Sequence, residues 1–163
     1  MPSSYQNRKA VKFYIEERQR TGWRNRGERV VKFAKIKPGS YILDLCCGPG
    51  FVVKVIRERV GNKGRIIGID SSLNLIKYAD RICHFKNVLF KCGNIENLDK
   101  YIDNQKFDFV IILASWNWVK NKNKIFLKVR KVLKPDGKFV FSLTGDNLYH
   151  PLTKKFSGDI EKI

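Results

Sequence analysis

The chain has 163 residues, 43% of them hydrophobic, enough for one buried core and too few for two. No apolar run approaches the roughly 20 residues of a membrane helix, and Met1-Pro2-Ser3-Ser4-Tyr5 lacks the apolar centre of a signal peptide, so the expectation is a cytoplasmic protein with no membrane span. Lysine and arginine number 33 against 15 acidic residues, a net charge of +18 that attracts anions and keeps nucleic acid among the partners. The basic residues are spread along the whole chain, however, as compositional drift toward Lys, Asn and Ile would also produce.

Two helical stretches come first. Ala10, Val11, Tyr14 and Ile15 recur at helical spacing until Thr21-Gly22 breaks the pattern. Val30, Val31, Phe33 and Ala34 then share one side of a second helix that ends before Lys37-Pro38-Gly39. From there strands and helices alternate. Tyr41 to Leu45 reads as a short buried strand, and Cys46-Cys47-Gly48-Pro49-Gly50 leads into a helix with Val52, Val53, Ile56 and Val60 inward. Arg65 to Asp70 is the second strand, and Ser71 or Ser72 caps a helix whose inner positions are Leu75, Ile76, Ala79 and Ile82. Val88 to Phe90 is the third strand, and Phe107 to Leu113 the fourth, apolar almost throughout as a strand buried on both faces should be. Ile125, Phe126, Val129, Val132 and Leu133 form a helical stripe before a fifth strand from Lys138 to Leu143. This alternation means βαβ crossovers and a parallel, doubly wound α/β sheet.

In such a sheet, ligands bind beyond the carboxyl ends of the strands, at the switch in strand order. The polar and glycine-rich residues gather there. Asp44, Gly48 and Gly50 follow strand one, Asp70 ends strand two, Gly93-Asn94 follows strand three, and Ser115-Trp116-Asn117 follows strand four. Gly48 and Gly50 allow a sharp turn and close approach of the backbone to a ligand. Asp70, about 20 residues beyond the glycine loop, can accept both hydroxyls of a ribose, which implies a nucleoside. The loop Gly48-Pro49-Gly50-Phe51-Val52-Val53 lacks the third glycine of a dinucleotide fingerprint, and no Gly-Lys-Ser/Thr follows it. A carboxylate at Asp44 suits an ammonium better than a pyrophosphate. S-adenosylmethionine carries an ammonium, a sulfonium, a ribose and an adenine.

The run Ile42-Leu43-Asp44-Leu45-Cys46-Cys47-Gly48-Pro49-Gly50 resembles motif I of class I methyltransferases, usually D/E-x-G-x-G-x-G. Ile67-Gly68-Ile69-Asp70-Ser71-Ser72 is similar to their acidic second motif, and Cys92-Gly93-Asn94-Ile95-Glu96 to the third, whose acidic residue meets the adenine amino group. Phe107-Asp108-Phe109-Val110 and Leu133-Lys134-Pro135-Asp136-Gly137 match the fourth-strand motif and the L-K-P-G-G turn, and the agreement runs over residues 36 to 144. The resemblance is to the ubiquinone/menaquinone-biosynthesis type. It implies a Rossmann-like sheet of about five strands in the order 3-2-1-4-5, with S-adenosyl-L-methionine held by Asp44, Cys46, Gly48, Gly50, Asp70, Ser71, Ser72, Asn94, Ile95 and Ser115. It also implies a single domain over 1–163, with a helical cap over 1–36, the donor-binding core over 37–144 and a tail over 145–163.

Three departures stand out. Cys46 replaces the first glycine of motif I, and Asn94 stands where Asp is commoner. After Thr144 too few residues remain for the family's usual last two strands. Strand five is then an edge that Leu148, Tyr149, Leu152 and Phe156, or a second copy in a homodimer, would cover.

No general base is obvious. Tyr14, Trp116 and Asn117 are the candidates nearest the reaction, and His84 and His150 are further bases, each as readily structural or exposed. Trp116 and Trp118 could wall an acceptor pocket or pack, and Tyr5, Tyr14 and Trp23 lie where relatives fold a lid over the donor. The adjacent Cys46 and Cys47 read as small packing residues rather than a redox pair. The four cysteines lack CxxC spacing and only two histidines accompany them, so no metal site is expected. Neither D/N-P-P-Y nor Pro-Cys occurs after strand four, where Ala114-Ser115-Trp116-Asn117-Trp118 stands. The expected reaction is in-line methyl transfer to a small-molecule acceptor; the alternatives are an RNA methyltransferase and an inactive methyltransferase-fold binding protein.

Overall fold

The computed structural model describes residues 7–142 together with the backbone of Tyr149–Leu152. Chain order is α1 (Arg8–Arg20), α2 (Trp23–Ala34), β1 (Tyr41–Leu45), α3 (Phe51–Val60), β2 (Arg65–Asp70), α4 (Leu73–Ile82), β3 (Val88–Cys92), β4 (Phe107–Ile112), α5 (Lys122–Val132), β5 (Leu133–Ser142) and β6 (Tyr149–Leu152). Short 3-10 turns, Ile95–Lys100 and Trp116–Trp118, follow β3 and β4. The first five strands pair in parallel in the order 3-2-1-4-5, as the sequence leads one to expect. The order reverses between β1 and β4, which opens a crevice at their carboxyl ends.

Strand alternation sorts the core onto two faces. Leu43, Leu45, Ile67, Ile69, Val110 and Ile112 pack beneath Ile125, Val129 and Val132 of α5. Ile42, Ile66 and Ile111 point the other way, to Val30 and Ala34 of α2 and Val53 and Ile56 of α3. Helices on both sides bury both sheet faces, which is why the strands read as apolar runs. On the second face α1 lies against α4, where Val11 and Ile15 meet Leu75. The Asn7 side chain caps α1 by accepting from Lys9 N at 2.9 Å, and Ser72 caps α4 through Leu75 N.

Beyond shifts of one or two residues at the ends of β3 and β4, two features of the sheet differ from the sequence reading. β5 begins at Leu133, which pairs with Phe107; pairing then skips to Lys138 opposite Phe109, so residues 134–137 form a bulge. The bulge is tied down at the amino ends of the strands. Lys134 Nζ donates to both carboxylate oxygens of Asp108 at 2.9 Å, and Asp108 Oδ2 accepts from Tyr41 N at 2.7 Å. The Leu133-Lys134-Pro135-Asp136-Gly137 run is therefore a clasp at the end of the sheet remote from the crevice. The second difference is β6. Its backbone runs antiparallel to β5 over Phe139–Ser142, so the chain itself covers the edge expected to be open. Leu148 and Phe156, also expected to cover it, lie outside the described residues.

Candidate functional site

β1 ends in Asp44 and Leu45, and the chain then turns through Cys46 at φ 61° and Gly48 at φ 56° before α3 begins. Left-handed backbone is costly for a residue with a Cβ, so Cys46 occupies a strained position that suits glycine. Gly48 meets the condition without strain, and its bare Cα faces Tyr14 of α1: a Cβ there would lie 3.9 Å from the tyrosine hydroxyl. Gly50 lacks a side chain for another reason. A Cβ would approach Ala79 Cβ to 2.9 Å and Phe90 Cζ to 3.3 Å, so its bareness serves the packing of α3 on α4. It does not border the cleft described next.

Above this loop lies a narrow cleft bordered by Asp44, Cys46, Gly48, Leu113, Ala114 and Ser115 and roofed by Tyr14, Arg18 and Trp23. Its free volume is about 30 Å³, room for a water or so, whereas a drug-sized ligand needs a site of about 300 Å³ or more. A nucleoside ligand enters only when the roof side chains shift.

Two carboxylates meet behind the loop. Asp70 is fully buried, its Oδ2 accepting from Gly48 N at 3.0 Å and its Oδ1 from Ser72 N at 2.9 Å. Burial raises its pKa, and the backbone N–H groups of Ser72 and Gly48 partly offset this. Asp44 is 3% exposed, and its pKa is pushed up to about 8, by burial first and by the Asp70 carboxylate second. Asp44 is thus the member of the pair that holds a proton near neutrality, and a cation in the cleft would release it. Burial also lifts the thiols: Cys46 is pushed up to about 12 and Cys47 well above its ordinary value, so both stay protonated.

The remaining expected donor residues lie along the same sheet edge outside the enclosed cleft. Asp70 pairs with Cys92 across β2 and β3, and Gly93 N donates to Asp70 O at 2.8 Å, bringing Asn94 beside the end of β2. Asn94 is exposed, and its Oδ1 accepts from Glu96 N at 2.9 Å as the cap of the following turn. Ile95 is buried beneath it, Ser71 is exposed, and Ser72 is spent on the α4 cap. Asp44, Cys46, Gly48 and Ser115 share the cleft with Tyr14; Asp70, Ser71, Ser72, Asn94 and Ile95 form a second cluster joined to it through the Gly48–Asp70 bond.

Other candidates fall elsewhere. Trp116 is 5% exposed, with ring centroids of Phe126 and Phe141 at 5.0 Å and Phe139 at 5.6 Å, so its indole belongs to the core on the α5 face and not to a pocket wall or the cap. Asn117 and Trp118 are exposed on the turn after β4 and do not border the cleft. His84 is exposed before β3, at the amino ends of the strands and remote from the crevice. His150 lies on β6 opposite Phe141, and Tyr5 is outside the described residues. Among the described residues no group of three or more His, Cys, Asp or Glu side chains is placed to hold a metal ion, and no helix is long and apolar enough to cross a membrane. The sequence reading missed Arg18, whose signal was its place one helical turn after Tyr14 on the same face of α1.

A protein-family model described as a methyltransferase domain matches residues 36–160. The chain is 34% identical over 121 residues to a demethylmenaquinone methyltransferase of Lactobacillus johnsonii, covering 72% of this chain and 48% of that protein. It is also 34% identical to a malonyl-[acyl-carrier protein] O-methyltransferase of Acetivibrio thermocellus, covering 68% of this chain and 38% of that one. The chain therefore spans about half the length, or less, of these relatives. Among solved structures, the plantazolicin methyltransferase BamL superposes with a TM-score of 0.72 at 24% identity, covering 85% of this chain and 53% of that chain. A SAM dependent methyltransferase from Aquifex aeolicus superposes with a TM-score of 0.64 at 23% identity, over 71% and 62% of the two chains.

Proposed function

Because the chain belongs to the methyltransferase-domain family of S-adenosylmethionine-dependent enzymes, we propose that it transfers a methyl group from that donor to a small-molecule acceptor at the crevice between β1 and β4. The observation that carries the reading is Asp44: a buried carboxylate with a raised pKa, facing a cleft over a glycine turn, is a costly arrangement that a ligand ammonium would relieve. Gly48 supplies the bare backbone against which the donor would rest. Asp70, fully buried and accepting from Gly48 N and Ser72 N, would take the ribose hydroxyls once the loop over it moves aside. Asn94 and Ile95, beyond β3, would border the base, and Ser71, Cys46 and Ser115 the ribose and methionine ends.

The bound donor supplies an electrophilic methyl group on a positively charged sulfur. What the protein adds is alignment and exclusion of water. Tyr14, Arg18 and Trp23 close the roof, and Leu113 and Ala114 at the end of β4 form the side where an acceptor would approach. Ala114 is held at φ 50° and donates its N–H to Ser142 Oγ at 2.8 Å, which fixes that wall to β5. Transfer from a sulfonium requires no dedicated base; for an O–H or N–H acceptor Tyr14 is the side chain in place.

A small-molecule acceptor is supported by the relatives' names, which refer to demethylmenaquinone and malonyl-acyl-carrier protein. The net charge of +18 favours RNA as a second acceptor reading. The four cysteines are free, which fits a reducing compartment, and we propose a cytoplasmic location. Titration with S-adenosylhomocysteine tests the donor site. Asp70→Ala should weaken binding by about 1–3 kcal/mol, and unchanged affinity would place the ribose elsewhere.

A further inference from the structure

The roof of the cleft holds polar groups that the donor reading has so far left unused. Arg18 projects from α1 between two aromatic rings, its Cζ 4.8 Å from the centroid of Tyr14 and 4.9 Å from that of Trp23. Arg26 also stacks on Trp23, at 4.8 Å. Such stacking holds a guanidinium in place and strips water from its faces while leaving its edge free to donate. That edge is poorly served. Arg18 Nε is buried with no hydrogen-bond partner; Glu17 Oε2 stands 3.4 Å away as an ion pair, out of hydrogen-bond alignment. Trp23 Nε1 is likewise buried and donates to nothing. Buried N–H groups without acceptors are rare in native proteins, and here two of them border the same cleft as Asp44.

The cleft therefore presents one carboxylate on its floor and one guanidinium with one indole N–H in its roof. Arg18 pairs with Glu17 and not with Asp44, whose pKa is set by burial and Asp70. A guanidinium and a carboxyl group that a cation would ionise, held apart across a narrow space, are complementary to a zwitterion with an ammonium and a carboxylate on one carbon. The methionine end of the donor is such a group. An acceptor anion would need only the roof, whereas the pairing with Asp44 asks for both charges at once.

We propose that Arg18 and Trp23 Nε1 bind the α-carboxylate of the donor, opposite Asp44 on its ammonium. The inference rests on the donor reading above. It makes α1 a recognition element for the amino-acid end of the ligand: the carboxylate would satisfy both orphaned N–H groups and draw the roof down on the loop. Arg18 is a binding residue here, with no part in the chemistry. Glu17 acts as its placeholder, displaced when the ligand arrives.

The test is calorimetric titration of the full chain with S-adenosylhomocysteine and with its decarboxylated analogue, which keeps the adenosine, the sulfur and the amine. Wild type should bind S-adenosylhomocysteine about 10–100-fold tighter than the analogue, the range for charged hydrogen bonds. Arg18→Gln should lose that factor for S-adenosylhomocysteine and leave the analogue unchanged, so the two ligands become nearly equal. Trp23→Phe removes the N–H and keeps a smaller aromatic face, and should narrow the preference by about threefold to tenfold. Equal wild-type affinity for both ligands, or an equal loss for both in Arg18→Gln, would overturn the assignment while leaving the donor site standing. Failure of wild type to bind either ligand would overturn the donor reading, and this inference with it.

Discussion

Asp44 has a consequence that can be measured without any ligand. Below 3.8 both folded and unfolded chains hold its proton, and the group costs nothing. As the pH rises toward about 8, the unfolded chain ionises it while the folded chain does not, so stability falls across that window and stays low above it. Asp44→Asn removes this contribution. Thermal melts of the variant relative to wild type should therefore show a growing advantage from pH 4 to pH 8; a constant difference would mean that Asp44 is ionised at little cost. Cys46, at φ 61°, gives a second handle. Cys46→Gly and Cys46→Ala both lose the thiol, but only alanine keeps the strain, so the glycine variant should be the more stable by about 1 kcal/mol. A more stable alanine variant would show that the loop relaxes. At this scale the floor of the cleft was legible from sequence, because Asp44, Gly48 and Asp70 must sit at strand ends and turns. Arg18 was not: it is one of 33 basic residues, and its place one helical turn after Tyr14 gains meaning only from the stacking on Tyr14 and Trp23.

The elements are fixed by close contacts that periodicity alone does not reveal. α2 crosses α3 at Gly27, where a Cβ would lie 2.8 Å from Val55 Cβ. Gly27→Ala should cost about 1–3 kcal/mol through overpacking, read by chemical denaturation; a neutral result would mean that the helices separate freely. The sequence shows the stripe Val30, Ala34 and Val52, Val53, Ile56, but not which residue lies at the crossing. Trp116 illustrates the converse. A tryptophan just after β4 sits where an acceptor wall belongs, and the pattern offers no way to see that Phe126, Phe139 and Phe141 enclose it. Trp116→Ala should cost about 3–5 kcal/mol and leave donor affinity per folded molecule unchanged; a selective loss of affinity would return it to the site. β6 escaped notice because Tyr149–Leu152 is four residues long with a proline, a pattern too short to read as a strand until β5 is present to pair with it.

For the whole molecule, the parallel sheet was readable from strands alternating with helices, and its order from the family resemblance. The donor motifs fell at the carboxyl ends of the strands beside the β1–β4 switch, the Asp108 and 133–137 motifs at the opposite end. The charge was readable but not its meaning. Lys128 pairs with Asp99 and Lys134 with Asp108, but the net +18 already counts such pairs, so they do not reduce the excess of basic side chains over acidic ones. The proposed function requires a donor cleft in which Asp44 releases its proton to solvent when a ligand ammonium binds. The most direct measurement is calorimetric titration with S-adenosylhomocysteine at a pH of about 6.5, where its amine is charged, in two buffers of different ionisation enthalpy. The expected result is saturable one-to-one binding that releases about one proton, with the release abolished in Asp44→Asn; saturation with no proton release, or no saturable heat at all, would contradict it.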